Sequence, residues 1–260
     1  MSRLPTIPPT IRRPTVYIPA AAVVIALVVI IAVWLQAPDP PTGAAPATDP
    51  SSPETGFAFF DIGRDTRLSK AVRIRLEKRL GPAVVEHWAN LDLDVNYSGF
   101  LADHFPRLAR LNRDLKDEIV IDTEKNPIRL IFRHTRQLET PFSRVELVFS
   151  GFTRRPLFFR IEPKKPEGEA VAETLRTKYG EPRTLAWDNR MPWDGRSGET
   201  DLWERHGDIL MCSVAPDRYG DPAYMITIYF LDNLEATLAI KLERQGARED
   251  EGSDAVRNAF

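Results

Sequence analysis

Apolar residues follow three different patterns along this chain. From Val16 to Leu35 the sequence VYIPAAAVVIALVVIIAVWL carries no charge. From Leu68 the apolar positions recur at helical spacing, with Leu68, Val72, Leu76 and Leu80 forming an i, i+4 stripe. From Ile128 they alternate, with Ile128, Leu130 and Phe132 set against Arg129 and Arg133, the pattern of a half-buried strand.

These patterns predict an order of elements. Thr66 is placed to cap a helix that runs through Leu80 and stops at Gly81-Pro82. A second helical stretch spans Gly99 to Leu115, with Phe100, Phe105, Leu108, Leu111 and Leu115 on its apolar side and Pro106 breaking or restarting it. Strands follow at Ile128 to Phe132, at Val145 to Phe149, and at Leu157 to Ile161 after a Gly151-to-Pro156 turn. Glu167 to Tyr179 reads as a helix capped by Gly180, and Pro182 prevents its continuation. Strands resume at Thr184–Trp187, Leu202–Arg205, Ile209–Val214 and Tyr224–Phe230, with a tight turn at Gly207. A last helix, capped by Asp232 or Asn233, carries Leu234, Leu238 and Leu242. Hairpin-length connections predominate, so the expected fold is α+β: a mostly antiparallel sheet with helices on one face.

The charge-free run changes the picture most. About 20 apolar residues are needed to cross about 30 Å of hydrocarbon, and residues 16–36 supply them. Tyr17 and Trp34 would stand about 26 Å apart along such a helix, near the two interfaces where amphipathic aromatics settle. A cleaved signal peptide has a shorter apolar region that ends at a small-x-small site. Here the run ends in Trp34-Leu35, and the nearest such triplet, Ala45-Pro46-Ala47, lies well downstream. A retained transmembrane helix contacting the lipid bilayer is therefore expected. Arg3, Arg12 and Arg13 precede it, and no Lys or Arg follows until Arg64. Cytoplasmic flanks carry the positive residues, so a stub over 1–15 is expected inside and everything after residue 36 outside.

Composition divides the remainder. Eleven of the 22 prolines lie in the first 53 residues. Residues 37–56, APDPPTGAAPATDPSSPETG, lack the apolar content to fold and read as an extended linker with a reach on the order of 60 Å. Residues 57–247 read as the extracytoplasmic domain, and 248–260 (REDEGSDAVRNAF) as a disordered tail. The stub carries +3, the linker −3 and the tail −2 of a total of −2, leaving the domain near zero. Its neutrality gives no electrostatic case for nucleic acid.

Chemistry-bearing patterns are sparse. The sequence has no GxSxG, Walker, HExxH or GxGxxG motif, so no catalytic, cofactor or metal site is assigned. His87, His104, His134 and His206 lack ligand spacing, and Glu86-His87 and Asp103-His104 are sequence neighbours that do not face each other on a helix. Cys212, between Leu210 and Val214, reads as a small buried apolar residue. The six cations from Arg67 to Arg79 make the first helix basic. Such a helix suits either a solvated face or an anionic lipid surface.

The stretch from Trp187 to Asp201, WDNRMPWDGRSGETD, is the least ordinary. Asp188, Asn189, Asp194, Ser197, Glu199 and Asp201 are oxygen donors of the kind calcium takes, but their spacing matches no calcium loop. Trp193, flanked by Pro192 and Asp194, is an aromatic stranded among polar residues. With Asp194 and Trp187 it is either a contact for an envelope protein or glycan partner, or a lid over the sheet edge.

The stretch LRTKYGEPRTLAWD, a helix followed by KYG-x-P and a Trp-bearing strand, resembles small extracytoplasmic domains of uncharacterised bacterial envelope proteins over about residues 145–230. The resemblance implies an extracytoplasmic α+β module and no activity. Two functions are compatible with these features: a binding or structural envelope module, and a membrane-tethered enzyme acting on envelope material through Asp or Glu. A urea melt of Trp193→Ala separates the two readings of the loop. A contact anchor leaves stability within about 0.5 kcal/mol, whereas a packed lid loses more than about 2 kcal/mol.

Overall fold

The chain divides into two units, Met1–Ser52 and Pro53–Phe260. A computed structural model describes residues 56–87, 91–93, 99–116, 125–133, 135, 138–186 and 198–259, with side chains described through residue 246. The transmembrane helix expected over 16–36 and the linker up to residue 55 lie outside the described residues.

The second unit opens with a minimal hairpin, β1 (Ala58–Phe59) and β2 (Ile62–Gly63). Helix α1 (Lys70–Leu80) follows. Its cap is Ser69, whose hydroxyl accepts from the Val72 amide, and not Thr66, whose hydroxyl instead accepts from Gly63 within the hairpin. Strand β3 (Val84–His87) leads to α2 (Phe100–His104) and α3 (Pro106–Lys116), which are broken at Pro106 as expected. Next come β4 (Ile128–Phe132), β5 (Phe142–Phe149), β6 (Pro156–Pro163) and helix α4 (Gly168–Tyr179). The last elements are β7 (Arg183–Ala186), β8 (Glu199–Arg205), β9 (Asp208–Pro216), β10 (Pro222–Phe230) and α5 (Leu231–Ala259). The fold is α+β, and among the described residues its large sheet has eight strands in the order β3-β4-β5-β6-β10-β9-β8-β7, with every pairing antiparallel.

Three details differ from the sequence expectation. Helices cover both faces of the sheet, not one. Ile128, Leu130, Phe132, Leu147, Phe159 and Ile228 face α1, α4 and the small hairpin. Val148, Phe158, Met211 and Tyr229 face α2, α3 and α5. The alternation at β4 suggested one wet face, but β5 ends in five consecutive buried residues and β9 begins with six, as strands covered on both sides must. Second, α5 starts at Leu231, directly after β10, without an Asp232 or Asn233 cap. The Asn233 amide is buried and donates to the carbonyls of Arg64 and Pro156. Third, the backbone of 248–259 continues α5 where an aperiodic tail was expected.

The strand order exposes an internal repeat. Each half is a helix, a glycine stop, an edge strand and three strands stepping inward: α1 with β3–β6, and α4 with β7–β10. The junctions match in sequence, RLGPAVVEHW against KYGEPRTLAW, and Gly81, Val84 and Trp88 recur at one spacing as Gly180, Arg183 and Trp187. They match in conformation too. Gly81 has φ 83°, ψ −176°, and Gly180 has φ 84°, ψ −172°. The edge strands share one burial pattern. The last strands of the two halves, β6 and β10, pair antiparallel at the centre. An approximate two-fold axis normal to the sheet follows, with α1 and α4 on one face.

This glycine conformation is open essentially to glycine alone. A Cβ at Gly180 would meet nothing within 4 Å, so Gly180→Ala tests backbone strain without a clash. We expect a loss of about 1–3 kcal/mol, read as a lower urea midpoint with an unchanged slope.

Candidate functional site

Strand alternation sends Asp201, Trp203 and Arg205 of β8 to the face occupied by α4, and all three hold that helix. Asp201 accepts from Arg176 at 3.1 and 2.7 Å and from the Thr184 hydroxyl at 2.7 Å. The Trp203 indole donates to the Gly180 carbonyl at 2.7 Å, and Arg205 donates to that of Tyr179 at 2.9 Å. Two of the carbonyls that a helix C-terminus leaves open are thereby satisfied.

The same strand borders a groove. Two adjoining hollows of about 330 and 400 Å³ share Arg183, Glu204 and Arg205. One reaches Tyr179 and Trp203. The other passes the turn His206-Gly207, both residues at positive φ, to the α2–α3 junction at His104 and Arg107. Asp208, its side chain fully buried, lies in the lining. Arg64 locks this end, contacting Asp208 through Nε at 3.0 Å and Nη2 at 2.9 Å, Asp232 through Nη1 at 3.0 Å, and the His206 carbonyl. Burial pushes the Asp208 carboxyl above its ordinary value and the Arg64 hydrogen bond pulls it down; burial wins. On Arg64 the Asp208 hydrogen bond wins instead, and its guanidinium is raised.

The groove is charged but balanced. Glu204 pairs with Arg183 at 3.2 Å and Glu235 with Arg107 at 2.6 Å. Both pairs are largely exposed, and exposed pairs are worth only about 0–1 kcal/mol. A polar partner can therefore exchange into them at little cost. Glu204, Asp208 and Glu235 each have a guanidinium partner. A second network lies on the sheet face toward β3. Glu146, 2% exposed, is held by Arg129 at 2.6 Å, Arg144 at 3.5 Å and Arg160 at 4.0 Å. Satisfying a buried carboxylate in this way is what its burial demands.

The contact residues expected from sequence, Trp187, Trp193 and Asp194, lie outside the described residues. The ends of their loop are Ala186 and Glu199, which pair with each other, while the groove lies at the opposite end of that hairpin. Asp201, counted among the oxygen donors of that loop, belongs instead to β8 and spends both oxygens on Arg176 and Thr184. No group of three or more His, Cys, Asp or Glu able to hold a metal occurs among the described residues. Glu86 pairs with Arg129 and Arg133 rather than with its neighbour His87. His104 packs against Phe100, with ring centroids 4.9 Å apart. His134 lies outside the described residues. Cys212 is buried as expected, and burial raises its thiol to about 12. Sequence reasoning missed Arg64, Arg183, Glu204 and Asp208, which converge only through strand order. The single local signal was ERHGD, a charged cluster on a tight turn.

No family model, no curated protein and no solved structure matches this chain.

Arg64→Met would leave Asp208 buried without its cation, which costs about 3–5 kcal/mol, whereas Asp232→Asn, at an exposed partner, should cost under about 1 kcal/mol. Urea melts of the two variants check the ranking. Removing the guanidinium raises the Asp208 carboxyl further. A raised folded-state value stabilises the fold below the ordinary carboxylate range and loses that contribution as pH rises through it. The Arg64→Met deficit should therefore shrink as the medium is acidified.

Proposed function

We propose that this is a single-pass membrane-anchored protein with its N-terminus in the cytoplasm, whose α+β unit acts outside the cytoplasm as a binding or structural module of the cell envelope. One observation carries the reading: a charge-free run from Pro14 to Pro38, preceded by arginines and followed by none until Arg64. No helix among the described residues is long and apolar enough to cross a membrane, and residues 16–36 lie outside them. The support for the anchor is therefore the sequence itself.

Within the folded unit, two features favour binding. Asp208, the buried carboxylate of the groove, is held by Arg64, which weighs against its serving an enzyme as a free acid or base. The exposed pairs Arg183–Glu204 and Arg107–Glu235 offer charges of both signs to a polar partner, and Trp193, in the sequence joining β7 to β8, is the aromatic contact proposed beside them. The proposed occupant is an envelope protein or glycan.

Alkaline phosphatase fused after residue 56 should be active in cells and inactive when fused after residue 13. The reverse pattern overturns the orientation. The mature chain should retain Met1 or Ser2 and stay with membranes through carbonate washing, and deleting residues 1–56 should release it. An N-terminus mapped between residues 36 and 50 means that the apolar run is cleaved.

A further inference from the structure

The repeat supplies an internal control for the charge on α1. Helices α1 and α4 occupy equivalent places on one face of the sheet and end in the same glycine conformation. Helix α4 carries two acids and two cations, Glu169, Glu173, Arg176 and Lys178. Helix α1 carries five cations against Glu77, and Arg67 precedes it. Packing in this position therefore does not call for positive charge.

The contacts of α1 show where its charge points. Val72, Leu76 and Leu80 are buried against the sheet, and all six cations are exposed. Arg75 and Arg79 reach back to Asp61 at 2.8 and 3.7 Å, and Arg73 pairs with Glu77 at 3.3 Å. Arg67, Lys70 and Lys78 have no ion-pair partner among the described residues. Lys70, Ile74 and Lys78 stand on successive turns, on the side away from the buried stripe. Between the two lysines Ile74 is 54% exposed, one of few large apolar side chains left in water among the described residues. The exposed Arg154 belongs to the adjoining turn, whose carbonyl accepts from the Leu68 amide at 2.8 Å.

We infer that the outward face of α1 docks on an anionic phospholipid surface, with Ile74 entering the headgroup boundary and Arg67, Lys70 and Lys78 meeting lipid phosphates. A cationic face with one apolar residue at its centre matches the charge and depth of such an interface. The inference rests on the membrane-anchored reading above, which supplies the bilayer. It gives the folded unit a second, salt-sensitive contact with that bilayer.

The test uses the full chain. Cys212 is buried, so a fluorophore on Ile74→Cys or, as a control, on the exposed Tyr219→Cys labels one site selectively. The chain is reconstituted in nanodiscs of phosphatidylcholine, with or without phosphatidylglycerol, that contain spin-labelled lipid as quencher. Quenching should appear at position 74 in anionic discs only, fade in high salt and be absent at position 219. Lys70→Glu with Lys78→Glu should abolish it, and affinity for added anionic vesicles should fall about fivefold for each cation lost. No quenching at 74, or equal quenching at 74 and 219, overturns the proposal. So does quenching unchanged by the charge reversals. A chain that fails to enter nanodiscs counts against the anchor alone. Added anionic vesicles then test α1 directly: quenching at position 74 upholds docking, and its absence overturns it. A response to a soluble anionic polysaccharide without quenching by lipid assigns the face to a polymer and overturns it as well.

Discussion

The pairing of β6 with β10 is the contact on which the folded unit depends. It joins two four-stranded halves that would each present an open edge at the middle of the sheet. Its register, from Ile226↔Ile161 to Tyr229↔Phe158, also aligns the cores on both faces. On one face Phe159 meets Phe230 edge-on at 5.1 Å, and on the other Phe158 stacks near Tyr229 at 6.2 Å. A slip of one residue would turn each of these rings to the opposite layer. The seam is fixed by two sets of packing constraints at once.

The two halves of the repeat differ in what they carry between their strands and after them. The first half carries α2 and α3 between its edge strand and β4. The second half continues into α5, which packs with α3 over the second face. The groove forms where the inserted α2–α3 junction approaches the β8–β9 turn. The first described residue, Gly56, lies close by: a Cβ added there would stand 3.6 Å from Asp208 Oδ2. Arg64 ties the segment after the β1–β2 hairpin to β9 and to the start of α5.

Electrostatics is apportioned by burial. Asp208, Asp201 and Glu146 are buried and each is held by arginine. The groove rim and α1 bear exposed charge whose pairs are individually weak. Buried pairs hold the architecture, and exposed ones contribute little to it.

Much of this was legible in the sequence. The i, i+4 stripe of α1, the break at Pro106, the glycine stops at 81 and 180 and the three strands, helix, four strands succession all follow from local periodicity and backbone chemistry, which act within a few residues. The charge-free run likewise states its own apolarity wherever it lies. Tertiary structure decided what depends on distant partners. Strand β3, four residues long with Val84 and Val85 half-exposed, has no periodicity to declare it and exists through its pairing with β4. The second helical layer required knowing that Val148, Phe158 and Tyr229 are covered, which single strands cannot show. The repeat was hidden because its halves share a junction and little else. The groove and the Arg64–Asp208 lock needed residues 144 positions apart to be brought together. Local sequence fixes what a segment can be, but only the summed burial of all segments selects which of them meet.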